Sequence, residues 1–467
     1  MKRKHVKLKV INQNCAGIDV GSKSHFVAIG QGKDDVREFG VYAEDLTALC
    51  DWLKSEGITS VAMESTGNYW QNLYSELAKN CIDVTLANGK FTKNAKGKKT
   101  DVKDSRWIQQ LHSLGLLSSS FLPDEQTEIL RTYCRHRTNM IAQKADTSHK
   151  MQKYLKLLNF RLDVVVRDIT GLTGIKIIAD ICSGNLDPKS LAKHRHYNCR
   201  KSEEEIAKAL HSNERKDFLF GLQQEYDRYI FYVKKIAECD EQIKIFLENH
   251  IETKDNPTDE LPPEKTYKRA NKNAPKGIDL NIVSFQYFDG IDLFAIPGVS
   301  HSTILTIMSE IGLDGFKEFP TAKQFVSWLR LAPNNKISGG RILSNRIPKG
   351  SNRLKIALRN AANAIGNLKD THLSKFFGRI AYRKGRQAAI SATARKLAVI
   401  IYNMIVNKVQ YQPPEEYLFL DQKRRQIAIL RKKIAKFGIN PNDLGIFTRP
   451  RYEEKYKNMM IECQALS

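Results

Sequence analysis

The chain has 467 residues, 41% of them hydrophobic, enough apolar material for two or three domains with real cores; this excludes a disordered chain. Lysine and arginine number 75 against 51 aspartates and glutamates, and the net charge of +24 points to a polyanionic partner. No run of about 18 apolar residues argues for a membrane span, and no lipidation or secretory signal is visible, so a cytoplasmic location is expected.

In chain order, CAGIDVGSKSHFVAIG (15–30) reads as two short β runs around a Gly-Ser-Lys turn, a hairpin. Residues 43–56 read as a helix, ITSVAMES as a buried strand ending at Glu64, NYWQNLYSELAKN as an amphipathic helix and CIDVTLANG as a strand. Strand and helix alternate, so an α/β sheet is expected over 1–123. From 124 to 251 the pattern turns to long charged helices. Leu222, Tyr226, Tyr229, Val233, Ile236, Ile243 and Leu247 form a coiled-coil seam with Asp240 as its polar member. The partner of that seam is either the segment around Leu130–Leu158 or a second copy of the chain. Residues 252–280, with four prolines and many charges, have the composition of a flexible linker. A mostly helical domain is expected over 281–410, and a basic tail with QKRRQIAILRKKIAKFG over 411–467, suited to nucleic acid or simply to solvent.

The eight cysteines include no CxxC pair and are expected as reduced thiols. His194, His196 and Cys199 are closely spaced but lack a second half for a metal site.

Asp19 on the first strand, Glu64 at a strand end, and Asp101 and Asp104 three residues apart on one helical face are the candidate catalytic group. Hard oxygen ligands of this kind suit Mg2+ or Mn2+, and two ions about 4 Å apart can activate a nucleophile and stabilise a leaving oxygen at a phosphodiester. Around the acidic pair, basic residues including Lys98, Lys99 and Lys103 would draw in a phosphate backbone.

GIDVGSKSHFVAIG, MESTGNYWQNLYSEL and GKKTDVKDSRWIQQLH resemble, in order and spacing, the signature blocks of the DEDD transposases of the insertion-sequence one-hundred-and-ten family. The resemblance covers 15 to about 160 and about 290 to 405. It implies an RNase H-like (RuvC-like) catalytic domain with Asp19, Glu64, Asp101 and Asp104 as metal ligands. It further implies donor and target DNA as substrates, a structured guide RNA that selects them, a homo-oligomer, and a bacterial or archaeal cell. A sugar-kinase or actin-like fold also opens with a GIDVG hairpin, but would want a second phosphate loop, for which YFDGID (287–292) is the later candidate. A junction-resolving endonuclease without a covalent step is the other alternative.

LFAIPGVSHSTILTIMSEIG (293–312) reads as helix, tight Pro297-Gly298 turn, helix, similar to a helix-hairpin-helix that offers N–H groups to phosphate. After it, Arg341, Arg346, Lys349, Arg353, Lys355 and Arg359 make a phosphate-binding surface by composition. The resemblance places the catalytic serine nucleophile at Ser338 in KISGGR, with Ser344 and Ser351 as next candidates, and Gly339 and Gly340 leave room for a DNA backbone.

Overall fold

The computed structural model describes residues 9–92, 100–253, 261–350, 352–369, 371–413 and 429. The chain divides into two compact units, Met1–Leu122 and Pro123–Ser467. Lys98, Lys99, Ser351 and nearly all of the expected basic tail lie outside the described residues.

In the first unit, short β-branched and apolar runs alternate with helices. These are β1 (Cys15–Val20), β2 (His25–Ala28), β3 (Val36–Phe39), α1 (Ala43–Ser55), β4 (Ser60–Glu64), α2 (Trp70–Lys79), β5 (Asp83–Ala87), the single turn α3 (Gly89–Thr92) and α4 (Asp101–Ser113). The strands form one mixed sheet in the order β3-β2-β1-β4-β5. The hairpin side is antiparallel, whereas β1 runs parallel to β4, and β4 to β5. This arrangement is consistent with the expected RNase H-like fold. The predicted hairpin, helices and strands are all present, and β3 is an addition to them. One sheet face carries Ile18, Val20, Val27, Val61, Met63 and Leu86 into a core with Leu49 and Leu53 of α1 and Leu73 and Leu77 of α2. The period-2 pattern leaves the other face for α4.

The second unit is mostly helical. It comprises α5 (Glu125–Leu157), α6 (Leu162–Val165), α7 (Leu172–Cys182), α8 (Pro188–Ala192), α9 (Glu203–Lys208), α10 (Lys216–Glu252), α11 (Leu280–Tyr287), α12 (His301–Glu310), α13 (Ala322–Trp328), β6 (Lys336–Ser338), β7 (Arg341–Ser344), α14 (Arg353–Ile365), α15 (His372–Lys384) and α16 (Arg386–Val406). The two long helices α5 and α10 pack on each other within the chain, which resolves the open question about the seam: Leu222, Tyr229, Ile236, Ile243 and Leu247 are buried. Its polar member, Asp240, is buried with them and ion-pairs with Arg137 of α5. At the far end of this pair, Met151, Leu155, Leu222 and Tyr229 share a core with Ile177 and Ile181 of α7 and Ile206 of α9. Within the expected linker, Lys276 donates its backbone N–H to Asp240 (3.1 Å), and the Lys272 ammonium pairs with Asp168. Helix α16 is long and apolar enough, by length and composition, to cross a membrane; here it is largely buried against α13, α14 and α15.

The helix-hairpin-helix reading needs a correction in its first arm. Leu293–Ala295 is one 3-10 turn, started by Asp292, whose carboxylate accepts the N–H groups of Phe294 (2.9 Å) and Ala295 (3.2 Å). The segment 287–292 joins α11 to that turn and contains no strand, so it gives no second phosphate hairpin of the kinase type. All seven described cysteines are free, and burial pushes the Cys134 and Cys182 thiols up to about 12. His194 is committed to Asp180 (2.7 Å), and the Cys199 thiol to the Val165 carbonyl (3.8 Å), so these residues are structural.

Candidate active site

Parallel pairing of β1 with β4 matches Ile18 to Met63, so Asp19 and Glu64 are neighbours at the next step of the register. Adjacent strands lie about 4.8 Å apart and residues at matched positions share a face, so the two carboxylates emerge together at the carboxyl ends of parallel strands. That edge is where open α/β sheets place their ligands. Both residues are half-buried. Glu64 is held by Thr66, whose hydroxyl donates to one oxygen (3.2 Å), and by Thr92, whose hydroxyl donates to the other (2.7 Å). Gly89 lies close beside it: a Cβ there would stand 2.2 Å from a Glu64 oxygen and would push that carboxylate aside.

Helix α4, whose first turn carries the other two acids, packs on the same face of the sheet. It lies directly on β1 at Gly17, where a Cβ would meet the Gln109 nitrogen at 2.1 Å and the Ser105 carbonyl at 2.5 Å. Asn12 donates to the His112 carbonyl (2.7 Å), the Gln109 amide reaches the Cys15 carbonyl (3.4 Å), and the Ser60 hydroxyl meets His112 Nε2 (3.0 Å). The helix therefore runs antiparallel to β1. Two residues along the strand from Gly17 to Asp19 advance about 7 Å, and four along the helix from Ser105 back to Asp101 advance about 6 Å. The first turn of α4, with Asp101 exposed and Asp104 half-buried, thus starts at the end of the sheet where Asp19 sits. Thr100 caps this turn by accepting the Lys103 N–H (3.4 Å), and acids in a first helical turn are favoured by the helix dipole. Behind the acids, burial lowers the His112 pKa against the opposing pull of Asp83, and burial raises the Cys15 thiol.

The four carboxylates are a hard oxygen donor set of the kind that suits Mg2+. Among the described residues, no three His, Cys, Asp or Glu side chains are gathered closely enough to form a ready-made cage. The threonines around Glu64, the close-approach glycines and the α4 docking contacts were not singled out from sequence; Gly17 and Gly89 beside acidic blocks were the available signal.

In the second unit, Gly298 (φ +81°) turns the chain into α12, and a Cβ there would lie 2.5 Å from Ile365 and 2.9 Å from the Ala361 carbonyl of α14. Arg131 and Arg135 of α5 hold the other end of α12 through Glu310, Arg135 with two bonds of 2.9 and 2.7 Å. A cavity of about 870 Å3 borders this region, lined by Ser300, Ser302, Thr306, Asn360, Lys272 and Arg353. Arg341, Arg346 and Lys349 are exposed. Lys355 departs from the expected phosphate surface: it is buried, and its ammonium bonds the Pro348 carbonyl (3.1 Å).

Ser338 ends β6 and pairs with Arg341 at the start of β7, leaving Gly339 and Gly340 as a two-residue turn. Both have positive φ (+53° and +73°), which a turn of this hand demands and glycine supplies. Ser338 is fully at the surface, and neither glycine has an atom within 4 Å of the place a Cβ would take.

Residues 16–160 match a family model described as Transposase, and residues 292–377 match one described as Transposase IS116/IS110/IS902 family. The chain belongs to this transposase family. The matched segments contain Asp19, Glu64, Asp101, Asp104 and Ser338, and leave α6–α10 outside both. A transposase cuts and rejoins DNA, so DNA is the polyanion that the charge of +24 anticipated. The kinase-like and junction-resolving alternatives are not favoured. No curated protein matches this chain.

Proposed function

We propose that this transposase moves an insertion sequence by cutting DNA at the Asp19, Glu64, Asp101 and Asp104 group and holding a broken strand as an ester on Ser338. The observation that carries the reading is the register of Asp19 with Glu64 at the carboxyl edge of the sheet, with the first turn of α4 beside it. The four carboxylates would hold Mg2+ or Mn2+, which when bound would polarise the scissile phosphate. Thr66 and Thr92 fix the Glu64 carboxylate, and Gly17 lets α4 approach closely enough to bring Asp101 and Asp104 to that edge.

In the ester-forming step the Ser338 Oγ attacks phosphorus and gives up its proton, while the bridging oxygen of the cut strand leaves and takes one up. The phosphodiester energy is thereby kept for rejoining. Arg341, its cross-strand neighbour, together with Arg346, Lys349 and Arg353, balances the phosphate charge. Lys103, and Lys98 and Lys99 before it, draw the backbone toward the acids.

A structured guide RNA would select donor and target by base pairing, with the protein reading shape and backbone, and two or more protomers would assemble on the DNA. Trapping tests the centre of this reading. A denaturation-resistant protein–DNA adduct should form with the natural chain and vanish in Ser338→Ala; an adduct that persists moves the role to Ser344 or Ser351. Recombination at full rate after RNase treatment would remove the guide.

A further inference from the structure

The β6–β7 hairpin carries large apolar side chains that stand exposed among the described residues. Ile337 and Ile342 form a cross-strand pair on one face, 61% and 62% exposed, and Leu343, 69% exposed, is the extra residue of a bulge opposite Lys336. Ser338 and Arg341 form the next pair and so project from the opposite face. A lone two-stranded ribbon is marginal in water. This one is anchored at its base, where Asn334 donates to the Arg346 carbonyl (3.0 Å) and Arg330 to the Lys349 carbonyl (2.7 Å). Its tip has two isoleucines facing water.

Charge decides the occupant. From Phe319 to Lys369 the sequence has ten lysines and arginines and no acid, a surface that repels basic protein partners and attracts phosphate. Minor-groove DNA binders frequently combine cationic residues with a projecting isoleucine or leucine that parts stacked bases.

We propose that the hairpin is a wedge that enters the DNA duplex, with Ile337 and Ile342 pressed into a base step and Ser338 and Arg341 turned toward the strand backbone. The two faces divide the labour: one unstacks, the other addresses phosphate. The position of the wedge rests on the nucleophile reading of Ser338, but its action does not. Unstacking is easiest at pyrimidine–purine steps, so a TA step is the preferred point of entry.

The test uses the full chain in a Ser338→Ala background and a short duplex with 2-aminopurine at a central TA step. Binding should raise 2-aminopurine emission several-fold. Adding Ile337→Thr and Ile342→Thr, which keeps β-branched residues and hence the hairpin, should abolish the rise while salt-dependent DNA binding persists. Ile337→Val with Ile342→Val should keep it. No rise on binding, or a rise unaffected by the threonines, overturns the wedge. A change in oligomer mass on threonine substitution also overturns it, by making this face a contact between copies of the chain. An emission rise that follows the isoleucines while the adduct survives in Ser338→Ala would refute the nucleophile reading and leave the wedge standing.

Discussion

Arg137 of α5 and Asp240 of α10, 103 residues apart in sequence, form an ion pair buried between the two long helices. The second Asp240 oxygen accepts the Lys276 N–H (3.1 Å), so the carboxylate ties both long helices to the segment that follows them. Removing one partner strands a buried charge. Arg137→Ala or Asp240→Ala should each cost about 3–5 kcal/mol in urea unfolding, and Arg137→Met combined with Asp240→Leu should recover much of it. Single variants as stable as the natural chain would show that the pair is solvated.

Gly17 is the point at which α4 touches the sheet, backbone against backbone. A methyl there has no room, since the obstacles at 2.1 and 2.5 Å are main-chain atoms rather than the end of a flexible side chain. Gly17→Ala should lower the melting temperature of the protein and abolish DNA cleavage together. Unaltered cleavage would mean that α4 can shift without disturbing its first turn.

Asp101→Asn should separate those two effects. The residue is exposed, and its charge contributes about 0.3–1 kcal/mol through the helix dipole, so stability should change little. Cleavage should be lost and DNA binding retained. Retained cleavage, measured at saturating Mg2+, would remove Asp101 from the catalytic group.

Four buried histidines, His25, His112, His301 and His372, have pKa values lowered by burial, His372 to about 4. The unfolded chain takes up these protons near the ordinary histidine value of 6.5, before the native chain does. Native stability is therefore complete above that value and is lost as pH falls through the lower native ones. Melting temperature should be flat from pH 7.5 down to about 6.5 and then decline. His372→Gln should shallow the decline; an unchanged slope would put the effect elsewhere.

Much of the first unit was legible because β1 and β2 are short apolar runs around a turn, and an amphipathic helix separates β4 from β5. β3 escaped because VREF is half polar and lies at the sheet edge, where only its outer residues are half-buried. The acids Asp19, Glu64, Asp101 and Asp104 stood out by type and spacing. The match of Asp19 to Glu64 depends on parallel register, and the start of α4 at that end of the sheet on the glycine contact under it, both long-range properties. The seam of α10 was readable from its 4, 3, 4, 3 spacing; its partner was not, because α5 and a second α10 offer the same apolar stripe. The hairpin at Ser338 had a sequence signal, Gly-Gly flanked by Ile337 and Ile342, which was readable as a Ser-Gly-Gly turn but not as a paired two-stranded ribbon.

The pairing of α5 with α10 also sets a distance. Thirty-three residues of α5 make a rod about 50 Å long, the rise of about fifteen base pairs of B-form DNA. Glu310 clamps the rod near its start, and the small core of α7 and α9 closes it at the other end. A stiff member fixed at both ends would, if laid along a duplex, set a constant stride whatever bases it covers. Shortening both helices by matched heptads should contract the protected DNA footprint by a fixed step, and a footprint of constant length would show that the rod does not lie along the duplex.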